Sequence, residues 1–133
     1  MFRVANERKS QLIENEVQLT LTMLDPQKQK RIFEPLSLER SKINYLSLSW
    51  TIVHPIDENS PLKNISIKEL EEREAEILIL LKAFDETFSQ TVYARRSYKH
   101  HEIKWDAKFV SIIHDSDEGT ALHLDKINEF IEV

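Results

Sequence analysis

Strict two-residue alternation recurs along this chain, and it limits the fold more than any other feature. In residues 16–24, EVQLTLTML, the side chains of Val17, Leu19, Leu21 and Met23 fall on one side. Those of Glu16, Gln18, Thr20 and Thr22 fall on the other. A strand with one dry and one wet face carries this period; a helix does not. Asp25-Pro26 ends the pattern, QKQKR reads as a hairpin loop, and a second strand follows near residues 32–38. Residues 43–53, INYLSLSWTIV, alternate again, with Leu46, Leu48, Trp50 and Ile52 on one face. Pro55, which has no N–H to donate, closes that strand, and DENSPL is turn chemistry.

Further along, residues 76–84, EILILLKAF, are almost wholly apolar, as a strand buried on both faces would be. Residues 87–94 and 103–113 predict two more strands, and residues around 121–124 a short one. Two short helices complete the reading. Ser66 and Glu69 stand three apart at the start of SIKELEEREA, as a capping box requires. Asp125 caps a terminal helix. Roughly seven strands separated by turn signals favour an all-β, antiparallel β-sandwich in a single domain over residues 1–133.

Composition narrows the function. Apolar residues make up 41% of the 133, enough for a core, and 31% are charged. Only Gly119 is a glycine, so Gly-rich phosphate loops and folds that need several glycine turns are disfavoured. The chain has no cysteine, which removes disulfide frameworks and thiolate chemistry and fits a reducing compartment. A net charge of −5 argues against a dedicated nucleic-acid binder. The longest apolar run, Ile77 to Leu81, is far below the roughly 20 residues of a membrane helix, and the opening stretch FRVANERKS is polar and charged, unlike a signal peptide.

No catalytic constellation appears. His100, His101 and Glu102 suggest a metal, but neighbours on a strand point to opposite faces and no HxH or HExxH spacing exists. A polar turn explains them better. His54, near Asp57 and Glu58, lacks a nucleophile and a third partner, and reads as a structural histidine bonding a turn. The basic run Arg95-Arg96-Ser97-Tyr98-Lys99-His100-His101 suits phosphate groups, and residue types alone leave nucleic acid and lipid open.

Four segments, in order, resemble the intracellular C-terminal domain of inward-rectifier potassium channels, especially the bacterial KirBac branch. They are FRVANERKSQLIENEV (2–17), LSWTIVHPIDENSPL (48–62), AEILILLKAFDETFSQTVYARRSY (75–98) and HEIKWDAKF (101–109). Together they span nearly the whole chain. The resemblance implies an immunoglobulin-like β-sandwich, a homotetramer, and a central hole that extends the potassium path beneath the channel's own transmembrane pore domain. That pore domain, with its carbonyl filter, would precede Phe2. On this reading the domain lies at the cytoplasmic face of the bacterial inner membrane, with potassium as permeant ion and no cofactor. The other reading is a stand-alone cytosolic immunoglobulin-like binding domain.

The resemblance also implies residue roles. Glu14 and Lys82 match pore-lining positions. A cation on the axis about 6 Å from four Glu14 carboxylates would gain roughly 3 kcal/mol at water's dielectric constant, about half of it screened at physiological salt. Ala83, Phe84, Asp85 and Glu86 match the loop that forms the cytoplasmic gate, and Glu86 with Arg95 matches a pair that braces it. Arg8, Lys9 and Arg95 match basic residues that meet anionic lipid headgroups. Three positions depart from the family: Lys82 stands where strong rectifiers carry an acid, Ala83 where many carry Gly, and Asp106 where Trp-Gly is usual. Asp tolerates left-handed backbone better than most residues, so the turn at Asp106 survives in this reading.

Overall fold

The structure, a computed structural model, describes residues 1–7, 11–27, 29–46, 48–110, 113–116, 119–122 and 127–132. Among these residues the chain is all-β, an antiparallel sandwich with one short α-helix and one 3₁₀ turn. Its strands are β1 (Phe2–Ala5), β2 (Leu12–Leu24), β3 (Arg31–Leu36), β4 (Lys42–Leu46), β5 (Ser49–Ile52), β6 (Glu76–Asp85), β7 (Gln90–Lys99), β8 (Ala107–Phe109), β9 (Ile113–Ser116), β10 (Gly119–Leu122) and β11 (Phe130–Glu132). The helix α1 is Ile67–Glu72, and the 3₁₀ turn is His100–Glu102.

The alternating segment around Leu19 is the centre of the fold. β2 pairs with β6 along one edge. Its other edge is shared by β3, on the C-terminal half, and β4, on the N-terminal half. β7 extends the sheet beyond β6. The predicted inner face of β2 is dry: Val17, Leu19, Leu21 and Met23 are buried, and they pack in one cluster with Leu36, Leu46, Trp50, Ile52, Leu70, Ile79 and Ala83. Ile52 and Trp50 belong to β5, which pairs with β1 in a separate two-stranded sheet. The core therefore lies between two layers. Each fully buried Leu or Ile there contributes roughly 1.5–3 kcal/mol.

Several boundaries move. The expected strand over 43–53 is two strands, β4 and β5, paired with β2 and β1 respectively. The alternation of Leu46, Trp50 and Ile52 survives because both pieces face one core while the chain changes sheets. β7 begins at Gln90, not 87, because Asp85 ties the turn: its Oδ1 accepts the backbone N–H of Thr87 at 2.9 Å and of Phe88 at 3.3 Å. The terminal segment is a strand at Phe130–Glu132, paired with β8, not the helix expected there; Asp125 lies outside the described residues. β8 itself demands extended backbone from the tail, so pairing overrides local helix preference. β1 was not anticipated, since four residues are too few to show a period.

α1 starts where predicted, with Ser66 Oγ accepting the Glu69 N–H at 3.1 Å, but ends at Glu72 and not at 75. It covers the end of the core with Leu70 and is fastened by Arg73, whose Nε donates to Leu24 O at 2.8 Å. The scarcity of glycine does not spare the chain left-handed positions. Glu14, Gln29, Asn64, Glu74, Ser89 and Asp106 all have positive φ. Asp106, at φ 51°, takes the left-handed backbone that Asp tolerates better than most residues.

Arg3 fastens the first strand to the C-terminal sheet. Its Nε and Nη2 donate to Ile127 O at 2.9 and 2.7 Å, its Nη1 donates to Val110 O, and the guanidinium lies 4.4 Å from the Phe109 ring centroid. Burial lowers the pKa of this group, and the nearby Glu129 pulls it back up.

Candidate functional site: a charged groove at a β-bulge

Regular alternation fails once in β2, and a groove opens there. Ile13 stands opposite Phe84 and Glu16 opposite Lys82, so Glu14 and Asn15 together face Ala83. An extra residue of this kind bends the strand and frees a side chain from the ladder. Glu14 takes φ 51° and is exposed. Asn15 turns inward and is fully buried, its Nδ2 donating to Leu12 O at 3.0 Å. The resulting groove, about 300 Å³, is lined by Glu14, Asn15, Glu16, Lys42, Ile43, Asn44 and Lys82.

Glu14 and Lys82, distant in sequence, thus meet in one groove. Glu16 and Lys42 belong to it as well and were missed. Glu16 was placed on the wet face of its strand, but which residues flank it depends on pairing register, which one strand's own pattern does not carry. Across the sheet the row reads Lys42, Glu16, Lys82, Tyr93.

The expected gate segment is mostly not a loop. Ala83, Phe84 and Asp85 lie inside β6, and Glu86 opens the turn to β7. Ala83 is buried opposite Val92, and the Asp85 carboxylate is buried under the turn it caps. Ala83 has the extended backbone of its strand, so left-handed freedom is not needed there; the left-handed residue is Glu14, across the ladder. Glu86 and Arg95 are not brought together within one chain. Arg95 is opposite Leu80, five ladder pairs from Asp85–Gln90, or about 17 Å along the strand. Arg8 and Lys9 lie outside the described residues.

The basic run is spread over both faces of β7. Arg95 shares a face with Tyr93, while Arg96 points the other way, 5.9 Å from the Tyr98 ring centroid. His100 and His101 form the 3₁₀ turn with rings edge to face, and among the described residues no group of three His, Asp or Glu is placed to hold a metal. His54 is structural: its ring nitrogens contact Ser37 O and, at 2.7 Å, Ser60 Oγ, which also accepts the Leu62 N–H. No helix among the described residues is long and apolar enough to cross a membrane.

The family model described as the inward rectifier potassium channel C-terminal domain matches residues 1–133. The chain is 36% identical over 136 residues to the inward rectifier potassium channel Kirbac3.1 of Paramagnetospirillum magnetotacticum, covering 99% of this chain and 46% of that protein. It is 30% identical over 141 residues to the mouse ATP-sensitive inward rectifier potassium channel 8, covering all of this chain and 33% of that one. With the human ATP-sensitive inward rectifier potassium channel 15 it shares 31% over 126 residues, 90% of this chain and 34% of the relative. The chain therefore spans less than half the length of these curated relatives. Its place is with ion-channel domains and not with enzymes: this chain belongs to the inward rectifier potassium channel C-terminal domain family.

Proposed function

We propose that the chain is a single cytoplasmic domain of a potassium channel whose transmembrane pore lies elsewhere in the same protein. Four copies surround a water-filled axis, carry potassium through an intracellular vestibule at the inner membrane, and couple signals at the membrane face to gating. The observation that supports assembly most directly is the outer face of the five-stranded sheet. A water-facing antiparallel sheet is polar on that side. Here it carries Ile13, Leu78, Leu80 and Phe84, none fully buried, with Tyr45 64% and Tyr93 65% exposed. A second copy of the chain, seated on this face, would cover that surface.

In such an assembly Glu14 lines the cation path, and Lys82 weakens block by polyamines and magnesium relative to relatives with an acid there. Ala83, Phe84, Asp85 and Glu86 stand at the gate. Arg8, Lys9 and Arg95 meet anionic headgroups, each basic side chain contributing roughly 1 kcal/mol near an anionic leaflet.

The test is potassium flux into liposomes that hold the protein encoded by the whole native reading frame. Flux that falls with Glu14→Gln, and spermine block that tightens with Lys82→Glu, support the reading. A reading frame without a membrane-spanning portion rejects it. The stand-alone alternative rests on no observation specific to it.

A further inference from the structure

The row Lys42–Glu16–Lys82 has a consequence that the pore-lining roles of Glu14 and Lys82 do not include. Glu16 stands in the ladder directly between two lysines, on β2 between β4 and β6. Residues directly opposite in an antiparallel pair have Cβ atoms about 4.5–5.5 Å apart, and opposite charges there attract. Among the ion pairs of the described residues none joins these three within 4 Å, so the attraction acts through the field and not through a fixed contact. Lys42 and Lys82 are exposed and Glu16 half-buried, so salt weakens it. Glu14 is in the same groove but off the ladder, on the bulge.

The two acids are therefore not equivalent. Glu16 has a lysine opposite it on each side. Glu14 has no cation directly opposite it: the β4 register sets it against Asn44, and the β6 ladder skips it at the bulge. We propose that Glu16 is a specificity-determining residue of the groove: it offsets the charges of Lys42 and Lys82, and so leaves the Glu14 carboxylate available to a mobile cation. Without Glu16 the two lysines turn their field on Glu14, and the groove changes from two charges of each sign to a net positive one. The meaning of this for conduction rests on the channel reading above; the charge row itself does not.

Charge reversal in the purified chain tests the row. Glu16→Lys should lower the Tm by roughly 2–5 °C in about 0.01 M salt and far less in about 1 M. Adding Lys82→Glu should restore about half of the loss, since Lys42 still faces a like charge. The same reversal at Glu14, Glu14→Lys with Lys82→Glu, should show no such rescue. Equal rescue at both positions, no rescue at Glu16, or a loss that salt does not change overturns the proposal.

Magnesium titration, followed by the amide resonance of Glu14, tests the specificity. Glu16→Gln should weaken binding about two- to fivefold more than Glu71→Gln, on α1. Equal effects of the two substitutions overturn it. Neither measurement requires a membrane or a tetramer, so absence of potassium flux in liposomes would reject the channel reading without touching this one.

Discussion

Glu14 and Ala83 meet across a bulge in which two residues of β2 oppose one of β6, and the unusual backbone falls on the glutamate and not on the alanine. Ala83 is a buried, extended residue inside a strand.

Glycine should consequently act in opposite directions at the two positions. Ala83→Gly removes a buried methyl and adds unfolded-state freedom, and should cost about 1–2 kcal/mol. Glu14→Gly relieves a left-handed non-glycine residue and should be neutral or stabilising by up to about 1 kcal/mol. Urea denaturation of the purified chain reads both.

Asp106 provides a second test of backbone conformation. At φ 51° it should accept Gly with a gain of up to about 1 kcal/mol, whereas Asp106→Val should lose about 1–2 kcal/mol. The order Gly, Asp, Val in denaturation midpoint is the expected outcome.

Asp85 is buried and accepts two backbone N–H groups of its own turn. Asp85→Ala should cost about 1–3 kcal/mol, because the Thr87 and Phe88 N–H groups lose their acceptor. Asp85→Asn keeps an acceptor oxygen and should cost less. Amide exchange at Thr87 and Phe88 should quicken in the alanine variant.

Arg3 donates to two carbonyls and stacks on Phe109. Arg3→Lys keeps the charge but not the fork or the stacking, and should destabilise by about 1–2 kcal/mol, with Arg3→Met costing more. Hydrogen exchange should rise at Ala107–Val110 before it rises in β2 or β6, since the loss is local to the C-terminal sheet.

His54 and Ser60 hold the turn that follows β5. Ser60→Ala removes the partner of both the imidazole Nε2 and the Leu62 N–H, and should cost about 1–2 kcal/mol by thermal unfolding. That outcome would separate a structural histidine from a reactive one, because only stability is affected.

Much of the architecture was legible one segment at a time. The period-two runs around Leu19 and Trp50 marked core strands, Asp25-Pro26 marked a hairpin, and Ser66 marked a helix start, because each depends on neighbours within a few residues. Strand ends were less legible. The break between Leu46 and Ser49 leaves the alternation intact, so only the change of pairing partner reveals it. The terminal strand Phe130–Glu132 exists because β8 is there to receive it. At the candidate site the resemblance brought out Glu14 and Lys82, while Glu16 and Lys42 emerged only from register.

By itself the sequence determined that the chain would be an antiparallel β protein with a dry face on β2, since side-chain alternation and turn residues act locally. It also determined the family, through long ordered blocks such as HPIDENSPL. Tertiary pairing alone decided which charges are neighbours. A slip of one residue turns every side chain to the other face, so the bulge at Glu14, the row Lys42–Glu16–Lys82, and the separation of Glu86 from Arg95 are properties of strand pairing that no single segment encodes.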